Sequence, residues 1–274
     1  MFLALTQDIA LDHVIPLAQY NCRVSIVNTG IFTLLSNICP HQNSRIAKCA
    51  TKHLQCPYHG MTFDRDGSGL NNSYSLEKWS TYQNQTILFD QHVGCRFPID
   101  TRHMTLAEHR QDTVNATPDV IMDVFLDIEH IPVAHTGVYD QIGITDVEEI
   151  TWHTFENGSI QFVSPQGKTN AIKDDEKYNI GACWMAVYPG TMIEWQPGAL
   201  FVTVAHNTTE TSSQVQVYKY KDTRYDDSVW TLNNHVWETA WTQDRVLAEF
   251  IESPAVDNLD ELKQHHRVWM QDAV

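Results

Sequence analysis

"CPHQNSRIAKCATKHLQCPYHG", Cys39 to Gly60, places one cysteine and one histidine in each of two short segments. Cys39 and His41 are two positions apart, and Cys56 and His59 are three apart. Pro40 and Pro57 each follow their cysteine and stiffen the backbone there, while Gly60 lets the second segment turn sharply. Two thiolates and two neutral imidazoles make a Cys2His2 donor set. Tetrahedral zinc accepts that set. So does a [2Fe-2S] cluster in which both cysteines hold one iron and both histidines the other. The tight, loop-like spacing favours the cluster over a zinc finger, whose histidines lie on a helix.

The flanking sequence reads as short strands. "CRVSIVNTGIFTLLSNICP" holds two β-rich runs around Asn28-Thr29-Gly30, a hairpin signal. "MTFDRDGSGLNNSYS" gives a strand, a Gly-rich turn and a polar loop, and "TYQNQTILFDQHVG" gives one further strand. From about Arg96 the pattern changes. Val120, Ile121, Val124, Phe125 and Ile128 recur at helical spacing, and Pro132 predicts that this helix ends or kinks near Ile131. Strand-like segments follow, with turns at Asn157-Gly158, Pro189-Gly190 and Pro197-Gly198 suited to an antiparallel meander. "DDSVWTLNNHVWETAWTQDRVLAEFIESP" then reads as a long helix, capped by Asp226 or Asp227 and stopped before Pro254. The expected class is α+β: a small all-β domain over residues 1–95 and a larger domain over 96–274.

Composition mainly excludes. The chain has 274 residues and a formal net charge of -16, which argues against nucleic acid or an anionic membrane as partner. No apolar run approaches the roughly 18 residues that span a bilayer, and "MFLALTQDIALDHVIPLAQY" lacks the basic start of a signal peptide. Six thinly spread cysteines do not suggest a disulfide framework, so the expected location is cytoplasmic. Gly67-Ser68-Gly69 lacks the third glycine and the helix of a dinucleotide fingerprint, so NADH is not expected to bind here.

A second constellation lies in "DVFLDIEHIPVAHTG", with Asp123, Asp127, His130 and His135. On a straight helix His130 and His135 diverge by about 140°, but Pro132 between them breaks the helix and lets them converge. The alternative is one surface and one core histidine. In the long helix Trp237, Trp241, Ala248 and Ile251 mark an apolar face that also carries Asp244. A carboxylate among tryptophans is costly unless it meets a cation, either a metal or an unidentified Lys or Arg. Glu238 and Glu249 lie off that stripe and are weaker candidates.

"CPHQ" with "CPYHG", followed by D-x2-H-x4-H and "TQDRVLAE", resembles the Rieske non-heme iron oxygenases (the ring-hydroxylating oxygenase alpha-subunit family) in a short form. The resemblance implies that Cys39, His41, Cys56 and His59 bind a [2Fe-2S] cluster, and that His130, His135 and Asp244 bind a mononuclear Fe(II). It implies that Asp127 bridges the two centres across a subunit boundary. It also implies a helix-grip (START/Bet v1-like) second domain, a curved antiparallel sheet around a long C-terminal helix, and a homotrimer. A ferredoxin or NAD(P)H-dependent reductase would supply electrons, and O2 would hydroxylate, dihydroxylate or oxidatively demethylate a small, possibly aromatic molecule. Trp184, Trp195, Trp237 and Trp241 either line the substrate pocket or belong to the core, and His206 either enters that pocket or sits at the surface.

The chain departs from the family in two places, with Met61 where Trp is usual and Asp123-Val124 where Glu-Asn is common. Met61 and Phe63 also replace the hydroxyl-bearing Ser and Tyr of respiratory Rieske proteins, so fewer donors reach the cluster sulfurs and a lower potential is expected. The sequence also admits two rival readings: a Rieske electron carrier without functional mononuclear iron, and a zinc-stabilised binding module.

Overall fold

The computed structural model describes residues 1–144, 150–163, 181–251 and 261–272. The backbone divides into two compact units, Phe2–His92 and Val93–Val274, with Met1 grouped with the second.

The first unit contains β1 (Phe2–Leu5), β2 (Val14–Pro16), β3 (Val24–Asn28), β4 (Phe32–Ser36), β5 (Leu54–Gln55), β6 (Thr62–Phe63), β7 (Lys78–Ser80), β8 (Tyr82–Asn84) and β9 (Ile87–Phe89). They form a sheet ordered β2-β3-β4-β7, a sheet ordered β1-β9-β8 and the β5-β6 hairpin. The expected hairpin is β3-β4, with Val24 opposite Ser36 and Asn28 opposite Phe32. "TYQNQTILF" is not one strand but two, β8 and β9, because Gln85 adopts φ 57° and reverses the chain. Cys39 and Cys56 are themselves core residues, packed with Val14, Val27, Leu35, Ile46, Leu54, Phe63 and Leu76.

The second unit is built on a seven-stranded antiparallel sheet. Its strands are β10 (Met104–Val114), β11 (Ile150–Phe155), β12 (Gly158–Val163), β13 (Ala182–Val187), β14 (Thr191–Gln196), β15 (Ala199–Thr209) and β16 (Ser212–Asp222). Their order is β10-β16-β15-β14-β13-β12-β11, the expected meander closed at one edge by β10. The sequence reading missed β10 because one face carries charge where a core-facing strand carries hydrocarbon. Arg110 pairs with Glu108, Asp112 and Glu238, and Asp112 accepts from Trp241 Nε1 at 2.9 Å.

Among the described residues four α-helices accompany the sheet: α1 (Pro118–Leu126), α2 (Ile131–Ala134), α3 (Asp227–Phe250) and α4 (Glu261–Asp272). α1 stops at Leu126, earlier than predicted. Asp127 turns extended at φ −78° and ψ 94°, a 3-10 turn spans Ile128–His130, and α2 restarts the helix with Pro132 in its first turn. Proline costs least there, where the amide hydrogen would lack a partner anyway. Asp226 occupies the N-cap of α3 without a side-chain cap bond, while Asp227 pairs with Lys221. Pro254 lies outside the described residues. α4 was not foreseen. Trp237, Trp241 and Ala248 of α3 pack against Val120, Ile121, Val124 and the sheet residues Phe201, Val215 and Val217.

Candidate metal centres

The two Cys/His loops share one backbone frame. In the first, Cys39 N–H donates to Ser44 O at 2.8 Å and Asn43 N–H to Cys39 O at 2.9 Å. In the second, Cys56 N–H donates to Met61 O at 2.7 Å and Gly60 N–H to Cys56 O at 2.9 Å. Both frames need a left-handed residue four places after the cysteine, supplied by Asn43 at φ 52° and Gly60 at φ 68°. Glycine and asparagine adopt that conformation most cheaply. Asn37 anchors the first loop by accepting from Ala47 N–H at 2.8 Å.

These frames bring the four donors together. His41 and His59 stand edge-to-face with centroids 4.9 Å apart. The cysteines are 1% and 2% exposed, whereas His41 is half-buried and His59 exposed. Burial pushes the Cys39 thiol up, against the opposing pull of backbone N–H groups of His41 and Gln42. At Cys56 burial acts upward too, but N–H groups of Tyr58 and His59, with Cys39 and the Ser44 hydroxyl, bring the thiol below its ordinary value. The Ser44 hydroxyl, whose hydrogen bond goes to Arg45 O at 3.4 Å, is thus the neighbouring hydroxyl that acts on Cys56, in place of the positions of Met61 and Phe63.

In the second unit the broken helix carries His130 and His135 to the same point. Their Nε2 atoms are 2.9 Å apart, and Asp244 Oδ1 on α3 lies 3.3 Å from the first and 2.9 Å from the second. The other ring nitrogens are engaged. His130 Nδ1 donates to the main-chain carbonyl of Asp127, and His135 Nδ1 to Gln243 Oε1 at 2.7 Å. Protons at both Nδ1 atoms leave two Nε2 lone pairs and a carboxylate converging. Three donors without a proton between them repel unless a cation sits among them. Asp244 Oδ1 is buried without a hydrogen bond, and all three ligand atoms lie within 4.8 Å of one another. The residues fit a metal ion. Two histidines and one carboxylate are the donor set of a facial triad that leaves coordination positions open.

Burial would lower the His135 pKa, but Asp244 and Gln243 raise it on balance; burial would raise that of Asp244, but the two histidines hold it down. The triad faces a 30 Å³ cavity lined also by Phe125, Ile131, Tyr139, Trp184, Met192 and Glu194. Of the four tryptophans considered, Trp184 lines the cavity, Trp195 is fully buried, and Trp237 and Trp241 stack in the core with centroids 6.0 Å apart. Ile251 leaves the apolar stripe and is 39% exposed. Glu238 is held by Arg110 and Lys219, and Glu249 accepts from Asn115 N–H at 3.0 Å. His206 lies on β15 and is not among the described residues that line the cavity.

Asp127 is placed differently from its histidine neighbours. Its carboxylate accepts from Glu129 N–H at 3.1 Å and from Lys263 Nζ of α4 at 2.6 Å. For His130 the orienting group is the Asp127 carbonyl, not its side chain. Gln243, Tyr139, Glu194 and Lys263 escaped the sequence reading. Glu194 alone left a signal there, as the one charge inside the apolar run "TMIEW".

Residues 3–82 match the family model described as the Rieske [2Fe-2S] domain. The first unit is a Rieske domain. The whole chain has the fold of Rieske oxygenases: it superposes on the quaternary ammonium Rieske monooxygenase CntA bound to gamma-butyrobetaine with a TM-score of 0.73, at 15% identity, over 98% of this chain and 87% of that one. Dicamba monooxygenase gives a TM-score of 0.56 at 14% identity, over 99% and 95%. The carnitine monooxygenase oxygenase subunit of Acinetobacter baumannii is 24% identical over 62% of this chain and 54% of its own length. This chain thus spans about half the length of the curated relatives it matches. The architecture is accordingly α+β, an all-β Rieske domain followed by a sheet unit with C-terminal helices, and a Rieske domain implies a [2Fe-2S] cluster.

Proposed function

We propose that this chain is the terminal oxygenase component of a Rieske system, with the Rieske domain over 1–95 and the oxygenase domain over 96–274. The observation that carries the proposal is the convergence of His130, His135 and Asp244 on one point, in a chain that also carries a Rieske domain. Cys39, His41, Cys56 and His59 would hold the cluster, and His130, His135 and Asp244 a mononuclear Fe(II). When bound, these groups supply stored electrons and a centre able to activate dioxygen for oxidation of a small organic molecule.

The chain's own residues prepare that chemistry. Gln243 and the Asp127 carbonyl fix both imidazole tautomers, so each histidine presents Nε2 to the metal position. Phe125, Ile131, Tyr139, Trp184 and Met192 restrict water around it. The exposed edge of His59 gives a separate ferredoxin or NAD(P)H-dependent reductase a short path to the cluster. Asp127 is assigned the contact between the two kinds of centre in a homotrimer. Its side chain is 29% exposed beside Lys263, which leaves a face for a neighbouring subunit. Among the described residues no helix is long and apolar enough to cross a membrane, and we place the protein in the cytoplasm.

The test is iron, zinc and acid-labile sulfide per chain, on anaerobically prepared wild type and Asp244→Asn. About three irons and two sulfides in wild type, falling to about two and two in the variant, is the expected result. Two irons in both would leave an electron carrier. Zinc without sulfide would overturn the proposal entirely.

A further inference from the structure

Among the described residues Gln161 is the buried side-chain amide with neither end bonded. Its place follows from the strand register, since residues paired across strands share a face. One row of the sheet runs Trp152 on β11, Gln161 on β12, Trp184 on β13, Glu194 on β14 and Phe201 on β15. Phe201 stacks on Trp237 of α3, and Trp184 and Glu194 line the cavity beside the triad, so this row faces the metal position. The next row runs Ser159, Ala186 and Met192, and Met192 is again a wall of the cavity. Gln161 is 1% exposed, yet neither Oε1 nor Nε2 has a hydrogen-bond partner, and the buried hydroxyl of Ser159, two residues back on the same face, has none either. Gln216 on β16, equally deep, shows the ordinary arrangement: its Oε1 meets His109 Nε2 at 3.0 Å and its Nε2 donates to Gln111 at 2.7 Å. Leaving a buried amide unpaired at both ends destabilises a fold.

The free atoms define the group that completes them. An amide offers an acceptor and a donor side by side in one plane. The group that answers both carries an N–H next to a C=O along one edge, as a lactam or a carboxamide does. A carboxylate would leave Gln161 Oε1 against lone pairs, and the side chains opposite Gln161 are Trp152 and Trp184, neither of them a cation. Those two indoles flank the amide and suit a flat partner. The Ser159 hydroxyl can donate to the second lone pair of the same carbonyl. We propose that Gln161 and Ser159 form a hydrogen-bonding subsite for a lactam or carboxamide edge, and that the substrate of this chain carries that group at the end away from the metal. The inference rests on the oxygenase reading, because the triad defines the reacting end. Met192 and Ala186 lie between the cavity and Ser159 in their row. The 30 Å³ left free beside the triad is about one water molecule, so the substrate opens the space over these two residues as it enters. Met192 is unbranched and moves at low cost, and Ala186 has no side chain to move.

The experiment is anaerobic equilibrium dialysis of the metal-loaded protein against 2-quinolone and coumarin, flat bicycles that differ by a ring N–H in place of a ring oxygen. Wild type should bind 2-quinolone about tenfold or more tightly than coumarin. Gln161→Met keeps an unbranched side chain without donor or acceptor and should erase that preference, with iron and sulfide content unchanged. Its urea midpoint should hold or rise, because an unpaired amide has left the core. Ser159→Ala should reduce the preference severalfold and serves if the first variant does not fold. Equal binding of both compounds by wild type, a preference that survives Gln161→Met, or no binding of 2-quinolone to fully loaded protein would overturn the inference. A lower urea midpoint in Gln161→Met would show the amide serving the fold and would overturn it as well. Binding is read without turnover, so each of these outcomes leaves the oxygenase reading standing; missing iron in wild type would overturn that reading instead.

Discussion

Gln243→Leu tests whether the second metal position depends on the tautomer of His135. The imidazole is 3% exposed and bracketed along one edge of α3: Gln243 Oε1 takes Nδ1–H at 2.7 Å while Asp244 Oδ1 lies 2.9 Å from Nε2. Leucine has nearly the shape of glutamine but accepts nothing. Leaving Nδ1–H buried and unpaired costs about 1–3 kcal/mol, and the ring escapes that cost by moving its proton to Nε2. There it donates to Asp244 and occupies the metal's own position. Loss of such an orienting partner lowers metal affinity about 10- to 100-fold, or about 1.4–2.8 kcal/mol. The assay is competition for iron against a chelator of known affinity, with sulfide content as the internal control for the cluster. Nitrogen-15 shifts of the metal-free protein report the tautomer separately. Gln243→Glu keeps the acceptor and should hold iron at least as well as wild type. Unchanged iron affinity in Gln243→Leu, with the proton still on Nδ1, would refute the reasoning.

Three other outcomes follow from single contacts. Ser44→Ala removes the hydroxyl that acts on Cys56; if that hydroxyl turns to the sulfur with about 1 kcal/mol of preference for the reduced cluster, the midpoint potential should fall by about 40 mV in a spectroelectrochemical titration, and an unmoved potential contradicts that role. In metal-free protein the folded pKa of Glu194 stands above its unfolded value of 4.5, at about 7. Its contribution is therefore complete below pH 4.5 and lost as pH rises through 7, about 3 kcal/mol in all; urea titrations at pH 5 and pH 8 should show that loss in wild type and not in Glu194→Gln, and parallel behaviour would count against it. Arg267→Met strips the cation from Asp123, which is 8% exposed, and should cost about 3 kcal/mol of denaturation free energy. Asp123→Asn in the same chain should recover part of it, and a single-variant cost below about 1 kcal/mol would be too small for a buried pair.

What the sequence showed plainly was local. The mirrored Cys/His pairs are legible because the loops that use them are short and self-contained, each closed by hydrogen bonds within six residues of its cysteine. The β3-β4 hairpin and the meander declared themselves through turn residues and alternation. The convergence of His130 and His135 was half legible: Pro132 announced a break but not its place, which Asp127 sets by turning extended ahead of it. Asp244 was legible as a charge on an apolar helix face, and Gln243 was not, since a neutral amide beside a carboxylate looks like surface. β10 was hidden because its charged residues satisfy one another and α3, and a half-buried ion-pair network has the composition of an exposed strand.

The Asp123-Val124 departure acquires a physical meaning through α4. Asp119, Asp123 and Asp127 recur every four residues from α1 into its C-cap, so their side chains line one face. α4 returns across that face with Lys263, His266 and Arg267. Lys263 Nζ meets Asp127 at 2.6 Å, His266 Nδ1 lies 3.3 Å from Asp123, and Arg267 spans Asp119 at 2.9 Å and Asp123. Asp123 is thus turned away from the metal position and towards the last helix. Removing Lys263 and Arg267 would leave one buried carboxylate, Asp123, and two partly exposed ones, Asp119 and Asp127, stacked along nine residues. That repulsion would act on α1 and on the turn that carries His130. A chain without α4 would have to neutralise the same face by other residues, since a Glu-Asn pair at 123 and 124 would keep the negative charge at 123. The acidic ladder and the basic helix therefore stand or fall together, and the place of His130 depends on both.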